Sequence, residues 1–245
     1  QNLDYRFSAT KGADIGNILH NVLEVTDFEK GIQKSDLMSQ LIKYPNIVKS
    51  DDEGKLINWL DECLDASIPL IDDNSQSFKL KDLNNCNTLK EPEFHIPLNN
   101  DSLWQDQLGK VLTNYRGNAE RVELPNKMKL YGMLKGFIDL IFEYKGKFYV
   151  ADYKSNYLGD KLSDYSQQAM QDKNRKSFYD LQYLIYSVAL HRYLKINKSD
   201  YDFSKDFGGV YYLYLRGMKD GHGVYQAKPS FEIIESLDKL FAGNK

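Results

Sequence analysis

The sequence predicts an α/β fold in which a central mixed β-sheet is flanked by helices. Three observations carry this. The strongest β signal lies at residues 130–154, where two apolar runs flank the turn dipeptide Lys145-Gly146. A β-branched and aromatic run, "FGGVYYLYLRGM" (207–218), follows a glycine pair and reads as a further strand. Segments with helical apolar spacing precede, separate and follow them.

Taken in order, "ADIGNILHNVLEV" (13–25) is a helix, because Ile15, Ile18, Leu19 and Val22 recur at helical spacing. Residues 34–70 are helical in pieces, broken near Pro45 and Pro69, with "GKLINWLDECL" the clearest piece. Residues 72–90 are rich in Asn, Asp, Ser and Lys and read as surface chain with one short strand at 77–80. "EFHIPL" (93–98) is a strand, 101–113 a short helix and "ERVELP" (120–125) a short strand. After the 130–154 hairpin come a polar helix over 161–176 and a buried one over 178–195, marked by Leu181, Leu184, Ile185, Val188 and Leu194. "SFEIIESLDKLFAG" closes the chain as a helix.

The composition is that of a globular protein, 42% hydrophobic and 27% charged over 245 residues. No stretch is apolar enough to span a membrane, and the first residues lack a signal-peptide pattern. Cys63 and Cys86 are too few for a disulfide framework and read as free thiols in a reducing cytoplasm. A net charge of −3 gives no whole-chain support for nucleic-acid binding. A local basic stripe remains at residues 154–176, with Lys161, Lys173, Arg175 and Lys176; by itself it reads equally as a solvated helix face.

The hairpin carries the chemistry. An even-numbered loop pairs Tyr144 with Lys147, or Glu143 with Phe148, and either choice sets Asp139 opposite Asp152. Opposed side chains share a face, with Cβ atoms about 4.5–5.5 Å apart. Period 2 adds Lys154 to that face and turns Tyr153 away from it. Two opposed carboxylates repel, so either Lys154 neutralises them in a structural ion network or a divalent cation binds both. Oxygen ligands of this kind suit Mg²⁺ or Mn²⁺, and a lysine beside a bound cation suits phosphodiester hydrolysis. Spacing alone leaves both readings open.

The stretch "GFIDLIFEYKGKFYVADYKSNYLG" resembles the motif of the PD-(D/E)XK nuclease superfamily, with Asp139 as the first acid and "DYK" (152–154) as the (D/E)XK element. It is most similar to nuclease domains of the RecB type, through "YSQQAM", "YDLQYLIYSVALHRYL", "YDFSKDFGGVYYLYLRGM" and "LFAG" in family order. The first half matches more weakly, through "GADIGNILHNVLE" and "EPEFHIPL". The resemblance implies a restriction-endonuclease-like core in one nuclease domain over residues 1–245, with a mainly helical part over 1–92 and the catalytic core over 93–245. It implies a metal-dependent DNA nuclease serving double-strand-break repair and recombination. Asp139, Asp152 and Lys154 are then catalytic, with His20 and the Tyr153 backbone carbonyl joining the two acids at Mg²⁺ or Mn²⁺. Gln182 and Tyr186, four apart on one helical face, are expected to hold the hairpin and contact DNA. Glu93 is a possible outer acid, and His95, His191 and His222 are structural or exposed.

The partners implied are DNA strands or ends, a helicase with RecC- and RecD-like subunits, and the RecA recombinase. The alternative is a DNA-binding or docking module with little activity in isolation. The phosphate-binding pattern G-x-x-x-x-G-K-[ST] is absent from these residues, so ATP-driven unwinding is not attributed to them.

Overall fold

A computed structural model of the protein describes residues 3–98, 104–117, 121–124 and 132–242. The chain runs through α1 (Tyr5–Ser8), α2 (Ala13–Val25), α3 (Lys34–Leu41) and α4 (Glu53–Asp65), then β1 (Ile68–Leu70), β2 (Asp73–Phe78), β3 (Thr88–Lys90) and β4 (Glu93–Pro97). It continues through α5 (Trp104–Arg116), β5 (Met133–Phe137), β6 (Leu140–Tyr144) and β7 (Lys147–Lys154). The remainder is α6 (Gln167–Lys176), α7 (Tyr179–Asn197), α8 (Phe203–Asp206), β8 (Phe207–Tyr214), β9 (Val224–Ala227) and α9 (Phe231–Ala242).

Among the described residues, five strands form the central sheet in the order β3-β6-β7-β8-β9. β7 and β8 are parallel and the other neighbours antiparallel, so the sheet is mixed as expected. A parallel pair needs a long crossover, and α6, α7 and α8 supply it. Alternation along β7 divides the core in two. Tyr149, Ala151 and Tyr153 pack with Ile15 and Leu19 of α2 and with Trp59 and Leu60 of α4. Val150, Tyr212 and Tyr214 pack with Leu181, Leu184 and Val188 of α7 and Leu237 of α9. α7 is apolar on nearly every side because sheet and helices surround it.

The Lys145-Gly146 turn forms as the sequence implies. Both residues have positive φ (52° and 75°), the signature of a two-residue hairpin loop whose twist matches its strands. Tyr144 pairs with Lys147 and Leu140 with Ala151, the predicted register. The first apolar run, however, is not one strand. It leaves the ladder at Ile138 and Asp139, so β5 pairs with β4 in a separate ribbon while β6 pairs with β7 and β3.

Other elements depart from the sequence reading for local reasons. The strand at 77–80 is instead 73–78, a mostly exposed strand without the apolar alternation that would announce it. The last predicted strand ends at Tyr214, where the chain turns back through residues 215–223 into β9, which the reading missed together with the three-residue β3. Residues 121–124 of "ERVELP" take no regular structure, and the rest of that segment lies outside the described residues, as do 101–103 of the helix expected at 101–113 and 130–131 of the β run. The polar helix starts at Gln167 and ends at Lys176, and a left-handed Phe178 (φ 55°) separates it from α7.

Two features invite direct tests. Arg116 clasps Asp180 with Nε and Nη2 at 2.6 and 2.9 Å, both side chains being buried. Asp180→Ala leaves that guanidinium unpaired, and a loss of about 3–5 kcal/mol is expected in a urea unfolding titration. Cys63 is buried, and desolvation pushes its thiol up to about 12, while Cys86 is exposed. Iodoacetamide on the native protein is therefore expected to label Cys86 alone; labelling of Cys63 without unfolding would contradict the packing.

Candidate active site

The C-terminal end of β7 gathers the chemistry. Extending the β6–β7 register by one rung sets Asp139 against Asp152, although Asp139 itself sits in the bend just before β6. There its Oδ2 accepts the Tyr153 backbone N–H at 2.7 Å. Asp152 and Lys154 point to the α7 side, and Tyr153 points to the α2 side, as alternation requires. The Tyr153 ring is buried and meets the edge of the His20 ring at 5.9 Å.

α2 delivers His20 to this point. Its Nδ1 lies 3.2 Å from Asp139 Oδ2. Burial alone lowers the imidazole pKa, but the contact with Asp139 and the charges of Asp139 and Asp152 outweigh it and leave it raised. Gly16, one turn earlier, lets α2 approach so closely because a Cβ there would lie 2.9 Å from Ser155 Oγ.

Glu91 is the residue the sequence reading missed. The β4–β5 ladder runs on past Glu93, so that Ile138 N–H donates to the Pro92 carbonyl and Glu91 N–H to the Asp139 carbonyl, both at 3.1 Å. Glu91 takes a left-handed backbone (φ 51°), an uncommon conformation for glutamate. His20, Glu91 and Asp139 each offer a ligand atom within 4.8 Å of the others. Glu93, expected as an outer acid, is instead two rungs away, bound to Lys135 at 2.6 Å and His95 at 3.3 Å on an exposed face. Of the two glutamates in "EPE", the structure places Glu91, not Glu93, beside His20 and Asp139.

Burial, then the charge of Asp139, pushes the Glu91 carboxyl up to about 7. Burial, again with Asp139, also raises Asp152 above the ordinary carboxylate range, although Lys154 opposes the shift. Crowded, partly desolvated carboxylates with one imidazole are a donor set that a divalent cation satisfies better than protons do.

Lys154 Nζ lies 2.6 Å from Asp152 Oδ1, an ion pair without hydrogen-bond geometry, and donates to Gln182 Oε1 at 3.0 Å. Gln182 Oε1 also accepts from Tyr212 at 2.7 Å, and its Nε2 donates to Tyr186 at 2.8 Å. Burial holds the Tyr212 phenol well above its ordinary pKa, so its hydroxyl is a donor. The expected Gln182–Tyr186 pair thus braces Lys154 from α7. His191 sits away from this cluster, with Nδ1 2.9 Å from the Tyr201 hydroxyl. His95 is exposed and paired to Glu93, and the His222 N–H donates to the Lys219 carbonyl.

A profile of the PD-(D/E)XK nuclease superfamily matches residues 2–242. The chain belongs to that superfamily. Its mixed sheet between two helical layers is the restriction-endonuclease-like core, and the superfamily uses divalent metal ions. The chain is similar to RecBCD enzyme subunit RecB of Escherichia coli (36% identical, covering 95% of this chain and 19% of that protein). The same subunit of Haemophilus influenzae is 35% identical, over 94% of this chain and 18% of the relative. That of Borreliella burgdorferi is 31% identical, over 94% and 20%. The chain therefore spans about a fifth of the length of these relatives.

Glu91 and Glu93 can be separated by experiment. Glu91→Gln is expected to weaken Mn²⁺ binding at least about tenfold, read as a smaller Mn²⁺-induced rise in Tm, whereas Glu93→Gln leaves the rise unchanged. Equal behaviour of the two variants would remove Glu91 from the site.

Proposed function

We propose that this chain is the DNA-cleaving nuclease domain, residues 1–245, of a RecB-like subunit that acts in double-strand-break repair and recombination. The observation that carries the reading is the convergence of His20, Glu91, Asp139, Asp152 and Lys154 at one end of β7. His20, Glu91, Asp139 and Asp152, with the Tyr153 carbonyl, are the groups proposed to hold Mg²⁺, for which Mn²⁺ can substitute. A bound divalent cation supplies Lewis acidity toward the phosphate and lowers the pKa of water.

The protein's own groups do the rest. Asp139 is fixed by the Tyr153 N–H and His20 by the approach of α2, so the donors are in place before a ligand arrives. Lys154 presents a positive charge where the phosphate gains negative charge, with Gln182 holding its direction. Its N–H groups can donate to a non-bridging oxygen or to the attacking water. Gln182 and Tyr186 border the same end of the sheet and are proposed to meet the DNA strand.

The rest of a RecB-like subunit, with helicase and RecC- and RecD-like partners, is proposed to deliver strands or ends to this site in the cytoplasm. Docking of RecA on this domain belongs to the same proposal. No helix among the described residues is long and apolar enough to cross a membrane.

The test is cleavage of labelled single-stranded DNA with Mg²⁺, with Mn²⁺ and with EDTA. Metal-dependent cutting is expected from the wild-type chain, none from Asp152→Ala, and about 10²–10³-fold slower cutting from Lys154→Ala. Equal cutting by wild type and Asp152→Ala overturns the site. Slow wild-type cutting that speeds up on adding the partner subunits supports delivery by the remainder of the complex.

A further inference from the structure

Lys154 is held by more than its hydrogen-bond partners. Its Nζ lies 3.9 Å from the centroid of the Tyr179 ring and 4.6 Å from that of Tyr212. Tyr179 stands at the first turn of α7, three residues before Gln182, and Tyr212 pairs with Asp152 across the parallel β7–β8 ladder. Two secondary-structure elements therefore each turn an aromatic face to the same ammonium. The two rings are 6.0 Å apart, centroid to centroid, so they meet the ammonium from adjacent directions and wall it on two sides of a corner.

We propose that Tyr179 and Tyr212 are positioning residues that cradle the Lys154 ammonium by their ring faces and keep it aimed at the reacting phosphate. The inference rests on the nuclease reading above and adds the groups that make its lysine effective. A lysine side chain is a flexible four-carbon stem ending in a point charge with three donors. Asp152 is its nearest partner, yet Asp152 is also among the groups proposed to hold the cation. A lysine held by that carboxylate alone would lose its anchor to the competing ligand.

Ring faces avoid this competition. They attract a cation through the quadrupole, the more strongly where water is excluded. They offer no proton acceptor comparable to a carboxylate, so they neither neutralise the ammonium nor use up the N–H groups that a phosphate needs. Of the three N–H groups, Gln182 takes one, leaving donors for Asp152 and for substrate. Tyr212 contributes twice, because its hydroxyl also fixes Gln182 Oε1. Tyr179 contributes through its ring, its own hydroxyl reaching Asn156 Oδ1 at 3.3 Å.

Tyr179 is the better site to test. It is only half-buried, whereas truncation of the fully buried Tyr212 endangers the fold. Tyr179→Phe keeps the ring face and Tyr179→Leu removes it. With the full chain and single-stranded DNA, Tyr179→Phe is expected to stay within about twofold of wild type. Tyr179→Leu is expected to lower kcat about tenfold, equivalent to about 1.4 kcal/mol of barrier, with KM within about twofold. The Mn²⁺-induced rise in Tm should be the same in all three, because the cation's ligands are untouched.

A second readout does not depend on activity. Ring currents should move the Lys154 Cε proton resonances upfield in wild type and Tyr179→Phe, and back toward the ordinary lysine position in Tyr179→Leu. The resonances are assigned by their disappearance in Lys154→Ala. If wild type cleaves and Tyr179→Leu cleaves with the same kcat, or if Lys154 shows no upfield shift, the cradle is overturned and the nuclease reading stands. If wild type fails to cleave even with its partner subunits present, the nuclease reading falls and the inference falls with it.

Discussion

Lys145 and Gly146, both with positive φ, close the β6–β7 hairpin in two residues, and that closure sets which side chains share a face. A slip of one residue would turn Asp152 and Lys154 toward α2 and bring Tyr153 to face Gln182. Charges would then enter the packing around Leu19 and Trp59, and a buried ring would replace the lysine at the site. The apolar packing on both faces of β7 therefore protects the register, and the register places the functional groups. Stability and chemistry depend here on the same pairing.

The hairpin needs support from chain far away in sequence. Arg216 is fully buried and donates to four backbone carbonyls: Ser155 at 3.0 Å, Arg6 at 2.5 Å, Ala9 at 3.3 Å and Thr10 at 2.7 Å. These join the segment leading into α2 to the loop that leaves β7. With the close contact between Gly16 and Ser155, they fix where α2 lies, and so where His20 meets Asp139. Burying a guanidinium is costly unless its donors are satisfied, and four carbonyl dipoles meet that requirement. Trp59 covers the guanidinium 5.3 Å away, which adds a cation–π contact.

The site concentrates charge that the fold alone would avoid. Glu91, Asp139 and Asp152 crowd one end of β7, and the raised carboxyl pKa values of Glu91 and Asp152 express that cost. Local conformation shows it too: Glu91 is left-handed, and the chain breaks its ladder at Asp139. A divalent cation bound there would relieve the repulsion, and Lys154 already offsets part of it through its contact with Asp152. α2 approaches from one face of the sheet and α7 from the other, so the two helical layers supply different parts of a single centre.

Sequence alone determined the parts that depend on short-range periodicity. Period 2 with a two-residue turn was enough to place Asp139, Asp152 and Lys154 together, and helical spacing located α2 and paired Gln182 with Tyr186. Those rules act along one helix or across one tight hairpin, so they depend little on the rest of the fold. What the tertiary structure decided is what depends on register between distant segments. Glu91 and Glu93 are equivalent by local pattern, and only the ladder with β5 brings Glu91 to Asp139 and commits Glu93 to Lys135. β3 and β9 are short and acquire strand character by pairing at the sheet edges rather than from composition. No local pattern marks Tyr179 or Tyr212; the packing of α7 on β8 brings both ring faces to Lys154, because convergence across elements leaves no trace in linear spacing.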